Sequence, residues 1–328
     1  MEQPFISVII PARNAGDMIK NCLTSLKELD YPKDRMEVII ADGLSTDKTA
    51  QTAQSLGAKV ITNPKIRVVS GRNIGFQVAQ GELIAFSDAD CTVDREWLKN
   101  CVKYFDDGEV GGVGGPNLVP DDESNFSKAV GLIFDYAFFF RAGAPTGVFN
   151  KVIESRAHGS NVIYRADVLR QVMPVDEDMF EGEDVVMNAK IERLGYKLLY
   201  VPDVLVFHYR RATAKKWWHQ MYRYGLGKVL MRRKMRGTVS FTQVGLGLAI
   251  PILVAFAALS AIFEPLALLA GLAAGMAVAL LSAIMALVKT KSSAVALNMP
   301  LALLILPIAW SCGFLRQLMF PTRKPSGD

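Results

Sequence analysis

The sequence predicts an α/β protein with a mostly parallel sheet, followed by interfacial helices and a membrane-spanning helical region. Three observations predict it. Short apolar runs alternate with helix-spaced segments from Ser7 to Ser87, ten cationic residues without a carboxylate follow between Leu205 and Thr242, and long apolar runs begin at Val244. Alternating strands and helices imply right-handed βαβ units in a doubly wound sheet.

Ser7-Val8-Ile9-Ile10-Pro11 is a buried-strand run stopped by proline, and the segment 16–29 carries apolar residues at helical spacing, Met18, Cys22, Leu26 and Leu29. A second strand is expected over 36–41, a helix over 47–56, a short strand over 59–61, a helix over 73–80 and a strand over 83–87. Beyond Asp90 the alternation weakens: 97–105 reads as helical, 110–116 as glycine-rich and extended, and 125–141 as helical.

Charge divides the 328-residue chain. Residues 1–203 hold 22 Lys+Arg against 30 Asp+Glu, a net of −8, whereas the ten cations are Arg210, Arg211, Lys215, Lys216, Arg223, Lys228, Arg232, Arg233, Lys234 and Arg236. A basic collar ahead of apolar segments suits the anionic face of a membrane. No recognition motif accompanies it, so nucleic acid is not expected as a partner. Cys22, Cys91, Cys101 and Cys312 have no paired or metal-ligand spacing and read as buried thiols in a reducing compartment. The apolar run before Pro11 is too short for a cleavable signal, which points to a cytoplasmic catalytic part.

Two runs, 244–262 and 266–288, contain no charge and are separated only by Phe263-Glu264-Pro265; each is long enough to cross a hydrocarbon core of about 30 Å. A third run, 295–314, contains Asn298, Pro300 and Pro307 and reads either as a kinked span or as a re-entrant or interfacial segment. If it spans, Arg323 and Lys324 lie outside, against the charge rule. The expected layout is a catalytic domain over 1–211, a basic aromatic interfacial segment over 212–243, a transmembrane region over 244–319 and a tail over 320–328.

The chemistry gathers at strand ends. Asp88-Ala89-Asp90 follows the run Leu83–Phe86, where open α/β sheets bind ligands, and offers hard oxygens to a divalent cation bridging a diphosphate. Pro11-Ala12-Arg13-Asn14 ends the first strand, either as a simple turn or as a nucleotide contact through Arg13 and the backbone. Asp42 ends the second strand, where a carboxylate can accept the ring N–H of uracil or guanine. Asp47 is expected to cap the next helix. Gly71-Arg72-Asn73-Ile74-Gly75 is read as preceding a helix, with a cation and backbone amides near a phosphate.

In this order the motifs resemble glycosyltransferase family 2, the inverting enzymes with a GT-A fold, over roughly Pro4 to Arg211. The resemblance implies that Asp42 contacts the base, Asp88 with Ala89 the nucleotide, and Asp90 one Mg²⁺ or Mn²⁺ ion held against the donor diphosphate. Phe180-Glu181-Gly182-Glu183-Asp184 opens a helix, and the family pattern makes Asp184 the general base, with Glu183 orienting a hydroxyl or Asp184 itself. Gly159, Ser160 and Asn161 face donor or acceptor sugars in that pattern, or form a plain turn into a strand. His208 either completes the metal shell, meets the diphosphate or packs. Gln220-Met221-Tyr222-Arg223-Tyr224 resembles the Gln-x-x-Arg-Trp signature of membrane polysaccharide synthases. By that signature Arg223 meets the diphosphate, while Gln220 and Tyr224 meet the acceptor; Trp217, Trp218, Tyr222 and Tyr224 equally suit a headgroup-level helix.

The resemblance thus implies transfer of one sugar from a nucleotide sugar, a UDP-hexose by preference, to a polyprenyl-linked sugar at the cytoplasmic surface, close to the succinoglycan-type glucosyltransferases. The alternatives are a polyprenyl-phosphate monosaccharide synthase, a processive synthase and a membrane scaffold on an inactive domain.

Overall fold

The computed structural model describes residues 3–135, 151–155, 158–179, 181–210, 213–235 and 237–321. The chain divides into two compact units, Met1–Pro120 with Gly143–Tyr209, and Asp121–Ala142 with Arg210–Asp328.

In the first unit the strands are β1 (Ile6–Ala12), β2 (Met36–Asp42), β3 (Lys59–Thr62), β4 (Leu83–Phe86), β5 (Cys91–Val93), β6 (Val110–Gly114), β7 (Asn117–Leu118), β8 (Ile153–Glu154), β9 (Val162–Arg165), β10 (Lys197–Tyr200) and β11 (Val206–His208). Eight of them form one sheet in the order β3-β2-β1-β4-β9-β6-β10-β8. The pairs β3–β2, β2–β1, β1–β4 and β6–β10 are parallel, as the alternation predicts. β9 inserts antiparallel between β4 and β6, and β8 closes the edge antiparallel. A three-stranded sheet, β5-β11-β7, lies beyond the end of β4.

Helices α1 (Gly16–Lys27), α2 (Thr49–Ser55), α3 (Val68–Val78), α4 (Trp97–Val102), α6 (Ala166–Arg170) and α7 (Glu183–Arg193) complete this unit, and α5 (Asn125–Asp135) belongs to the second. One apolar cluster unites Val8 and Ile10 of β1 with Ile19, Cys22 and Leu26 of α1. The other unites Ile9 and Phe86 with Tyr164, Leu169 and Ile191. The continuous apolar strands are therefore buried on both faces, as parallel strands require.

α3 begins five residues before the sequence places it. The β-branched pair Val68-Val69 and Gly71 argue locally against helix, but tertiary packing decides. A Cβ at Gly75 would lie 2.4 Å from Ile9 Cγ2, so only glycine lets α3 approach β1 this closely. Arg72 consequently sits inside the helix, and the expectation of free backbone amides beside a phosphate fails.

The second unit adds α8 (Ala214–Lys234), α9 (Phe241–Gly247), α10 (Ala249–Phe263), α11 (Pro265–Thr290) and α12 (Ser293–Met319). The expected first span is broken: α9 and α10 meet at 62°. α11 and α12 are each long and apolar enough to cross a membrane. The domain expectation over 1–211 changes in one respect. α5 packs through Phe126, Ala129, Val130 and Ile133 into the cluster of Trp217, Met221 and the α12 side chains. The part of the predicted helix beyond Asp135 lies outside the described residues, as do Phe180, Arg211, Arg236, Arg323 and Lys324 of the motifs and charges above.

Cys22, Cys91 and Cys101 are buried free thiols, as expected, and Cys312 is half-buried. Trp217 departs from its expected place among lipid headgroups. It is fully buried and its indole N–H donates to the Ala302 carbonyl at 2.9 Å.

Candidate active site

Register carries Asp42 to the mouth of the sheet, because β1 and β2 pair with Ala12 opposite Asp42. The Gly43 N–H donates to the Ala12 carbonyl at 2.8 Å, and the Asn14 side chain accepts the Thr46 N–H at 2.8 Å, so the two strand-end turns are stitched together. Pro11 and Ala12 are buried, leaving Arg13 and Asn14 as the exposed residues of the first turn. Asp42 accepts the Ser45 N–H through Oδ2 at 3.1 Å, while its buried Oδ1 has no partner. A buried carboxylate oxygen without a donor is costly, and a ligand N–H would satisfy it. Asp47 is not the N-cap expected of it, because α2 begins at Thr49 with Lys48 in that position; from one residue further out its carboxylate accepts the Thr49 N–H at 2.9 Å and also the Gly16 N–H at 3.0 Å.

Asp88 and Asp90 lie just past β4. The Cys22 thiol donates to the Asp88 carbonyl at 3.7 Å and the Cys91 thiol to Asp90 Oδ1 at 3.9 Å. Burial, with help from Asp90 and Asp88, pushes the Cys22 thiol up to about 12 and Cys91 well above its ordinary value, so both remain neutral donors.

β11 runs antiparallel to β5 with His208 opposite Cys91, and the Tyr209 N–H donates to the Asp90 carbonyl at 3.0 Å. This pairing brings His208 Nε2 to 3.4 Å from Asp90 Oδ1. Asp90, Cys91 and His208 each bring a donor atom within 4.8 Å of one another. The Asp90 carboxylate on this half-buried strand end fits a hard divalent ion such as Mg²⁺ or Mn²⁺, and the His208 imidazole offers a nitrogen ligand beside it.

Arg72 is the hub. Its guanidinium donates to Glu183 Oε1 at 2.6 Å, to Asp88 Oδ1 at 3.1 Å and to the Gly159 carbonyl at 3.0 Å, and stacks over Phe86 at 5.5 Å. Burial works against its charge, but Asp88, Glu183 and Asp184 outweigh burial and raise its pKa. The phosphate contact expected of Arg72 is thereby corrected: with its side chain 6% exposed and held by three acceptors, it positions carboxylates.

α7 starts at Gly182, whose φ of +78° is the left-handed conformation glycine tolerates. Glu183 and Asp184 occupy the first turn. Asp184 Oδ2 accepts the Gly159 N–H at 3.0 Å, and Oδ1 accepts the Val185 N–H at 2.8 Å. Gly159 thus stands between Arg72 and Asp184, bonded to each, and a Cβ there would lie 2.6 Å from Arg72 Nη1. Burial pushes Glu183 up to about 7, opposed by Arg72 and reinforced by Asp184 and Glu181.

Two sugar-contact expectations change. Asn161 is fully buried; its amide donates to the Pro116 and Val204 carbonyls at 3.0 and 2.8 Å and accepts the Trp97 indole N–H at 2.8 Å. It anchors the loop before β9 and is fully enclosed by protein. Ser160 is also buried and accepts from Asn117 Nδ2 at 2.8 Å. Sequence reasoning missed Tyr164, whose hydroxyl donates to Asn188 Oδ1 and ties β9 to α7; its apolar strand position gave no signal of this.

The profile of glycosyl transferase family 2 matches residues 7–173, half of the chain. The chain belongs to glycosyl transferase family 2. Among relatives of this family 2 enzyme is the dolichyl N-acetyl-alpha-D-glucosaminyl phosphate 3-beta-D-2,3-diacetamido-2,3-dideoxy-beta-D-glucuronosyltransferase of Methanococcus voltae. The two are 29% identical over 247 residues, 70% of this chain and 74% of the relative. Glycosyltransferase AglE of Haloferax volcanii is 27% identical over 259 residues, covering 77% and 81%. In fold, the glycosyltransferase is similar to mannosyltransferase PcManGT of Pyrobaculum calidifontis, solved with GDP-Man and Mn²⁺. The TM-score is 0.65 at 20% identity, covering 93% of this chain and 88% of that one.

Of the remaining site expectations for this family 2 enzyme, Gln220, Arg223 and Tyr224 lie on α8 in the second unit. There Gln220 Nε2 donates to the Tyr224 hydroxyl at 3.2 Å, and the Tyr224 ring meets Trp310 edge-on at 6.2 Å. Arg223 is exposed.

Proposed function

We propose that this glycosyltransferase moves one sugar, with inversion, from a nucleotide-sugar donor to a lipid-linked sugar at the cytoplasmic membrane surface. The observation that carries the reading is the chain Asp88–Arg72–Gly159–Asp184. One guanidinium and one peptide unit couple a donor-side carboxylate to the base candidate, so both halves of a displacement are fixed by shared hydrogen bonds.

In this reading Asp42 Oδ1 accepts the base N–H, and Arg13 and Asn14 border the nucleotide. Asp88, oriented by Arg72, accepts from the ribose. Asp184 takes the proton of the acceptor hydroxyl as the oxygen attacks the anomeric carbon, and the nucleoside diphosphate leaves from the opposite face. Gly159 and the first turn of α7 hold that carboxylate in place, which limits the motion needed to reach the transition state. Asp90 and His208 would hold the divalent ion, which when bound supplies electrophilic stabilisation of the departing diphosphate. The roles given to Gln220, Arg223 and Tyr224 rest on the sequence signature.

A lipid-linked sugar as acceptor is supported by the Methanococcus voltae enzyme, which is named for a dolichyl phosphate that already carries a sugar, and a lipid acceptor more broadly by a Nostoc relative, a beta-monoglucosyldiacylglycerol synthase 25% identical over 236 residues. The test is an assay of the detergent-solubilised enzyme with UDP- and GDP-sugars, each against polyprenyl phosphate and a polyprenyl-linked sugar. Transfer from a UDP-sugar to the lipid-linked sugar is expected. Transfer to the bare lipid phosphate alone would replace this reading by a polyprenyl-phosphate sugar synthase.

A further inference from the structure

We propose that Leu44 and Ile66 form an apolar seat for the nucleobase of the donor and that the seat selects uracil. This assignment rests on the reading above, in which Asp42 Oδ1 accepts the base N–H. Both residues stand in the left-handed region, with φ of +56° and +62°, and neither is glycine. A Cβ crowds the following carbonyl in that conformation, and a β-branched side chain such as that of Ile66 is the least suited to it. Asn14, at φ +48°, shares the conformation at this edge of the sheet, but its side chain gains a hydrogen bond there by accepting the Thr46 N–H. Leucine and isoleucine have no polar atom with which to do the same.

Burial does not account for the pair. Leu44 is 47% exposed and Ile66 37%. An exposed apolar residue is ordinary by itself, and a strained one can be held by the packing of its side chain. Here the strain is kept while much of the side chain is left in water, where glycine would serve the fold better. Strained positions that packing does not reward gather at ligand sites.

The loops that carry the pair are fixed around Asp42. Leu44 lies between Asp42 and Ser45, whose N–H donates to Asp42 Oδ2 at 3.1 Å. Asn63 ties the loop after β3: its N–H donates to the Asp42 carbonyl at 2.7 Å and its carbonyl accepts the Ile66 N–H at 3.2 Å. Its side-chain amide donates to the Arg67 carbonyl at 2.8 Å and accepts the Ser70 hydroxyl at 2.7 Å. A Cβ on Gly43 would lie 3.5 Å from Ile66 Cα and 3.3 Å from Arg13 Cβ, so the turns after β1, β2 and β3 meet at that glycine. Leu44 and Ile66 therefore stand beside the carboxylate whose buried Oδ1 lacks a partner. A nucleobase answers both features, with an N–H at its edge and flat faces that accept aliphatic side chains. Uracil brings a single ring N–H to the single open oxygen. Guanine presents ring and amino N–H groups side by side, a pair suited to a carboxylate with both oxygens open.

The test is calorimetric binding of UDP, GDP and inorganic pyrophosphate to the full-length, detergent-solubilised protein with Mn²⁺ present. The parent should bind UDP in preference to GDP. Leu44→Gly and Ile66→Gly should each weaken UDP binding roughly tenfold, the value of covering the exposed part of one aliphatic side chain. Pyrophosphate, which has no base, should bind variants and parent alike. Because glycine relieves left-handed strain, neither variant should melt lower than the parent. Leu44→Ala and Ile66→Ala, which keep the Cβ, should show the same loss of UDP and so separate side-chain contact from loop flexibility. UDP binding unchanged in all these variants overturns the proposal, as do equal losses of UDP and pyrophosphate or a parent that prefers GDP. A parent that binds neither nucleotide overturns the donor-site reading itself, whereas nucleotide binding indifferent to Leu44 and Ile66 overturns the seat alone.

Discussion

Arg72 and Glu183 meet at 2.6 Å inside the first unit, with the arginine side chain only 6% exposed and the glutamate 12%. One belongs to α3, a helix on β1, and the other to the first turn of α7, so this contact joins the β1 side of the sheet to the helix that carries the base candidate. A buried ion pair contributes little net stability when intact but costs about 3–5 kcal/mol when one partner is removed. Arg72→Met should therefore lower the melting temperature and abolish transfer. Arg72→Lys, which keeps the charge but not the planar fork, should recover part of the stability while leaving kcat/KM depressed. Thermal melts and initial rates on the same preparations check both.

The raised pKa of Glu183 gives a pH signature. Its carboxyl titrates at about 7 in the fold against an ordinary 4.5, so between those values the native state holds a proton that the unfolded chain gives up. Stability from this group is therefore full below about 4.5 and falls as pH rises to about 7. Activity runs the other way if Glu183 works ionised beside Arg72: kcat/KM should climb with an apparent pKa near 7. Glu183→Gln should remove that limb of the profile. A Glu183→Gln profile that still rises near 7 would assign the titration to another group.

Asp42 makes a prediction about the donor alone. With Oδ2 on the Ser45 N–H and Oδ1 buried without a partner, Asp42→Asn places an amide where a base N–H is expected. One hydrogen bond to a charged group is worth about 1.5–3 kcal/mol, so the KM for the donor should rise roughly tenfold to a hundredfold. The KM for the lipid acceptor should stay as it is. Donor and acceptor titrations separate the two.

How much of this was legible in the sequence follows the range of the forces involved. β1, β2, β4 and the first turn of α7 announce themselves through local apolar runs and strand-end carboxylates, so the sequence marks where Asp42, Asp88, Asp90 and Asp184 stand in the fold, at the end of β2, just past β4 and at the start of α7. Local signals failed where packing reverses them. α3 forms across Val68-Val69 and Gly71 because Ile9 and Pro11 lie beneath it, which turned Arg72 from a surface cation into a buried hub. The antiparallel insertion of β9 and the pairing of β11 with β5 depend on contacts remote in sequence, so the approach of His208 to Asp90 had no local trace. Asn161 looked like a polar loop residue, and only the fold supplies the two carbonyls and the indole that saturate it.

The metal expectation is testable without turnover. Asp90 Oδ1 and His208 Nε2 are 3.4 Å apart, close enough to bind one ion together. Titrating Mn²⁺ into the full-length protein and following the free-ion signal by electron paramagnetic resonance should show binding that UDP strengthens. Asp90→Asn should abolish it and His208→Ala should weaken it. Binding unchanged in both variants would move the ion elsewhere, and chelator-resistant transfer would remove its role.

Gly225 provides a stability test that bypasses catalysis. Even the smallest side chain there would press its Cβ to 2.1 Å from the Trp310 carbonyl oxygen, and the obstacle is backbone, which no rotamer change relieves. Gly225→Ala must therefore separate α8 from α12, opening the packing of Trp217, Met221 and Trp310. Alanine is the better helix former by about 1 kcal/mol, so a merely exposed glycine would gain stability from the same change. The close contact predicts the opposite sign: overpacking costs typically about 1–3 kcal/mol, enough to lower the melting temperature of the solubilised protein. Gly275→Ala is the control. No atom lies within 4 Å of its added Cβ, so it should melt no lower than the parent, and a matched loss at both positions would point to the glycine backbone and not to the α8–α12 contact.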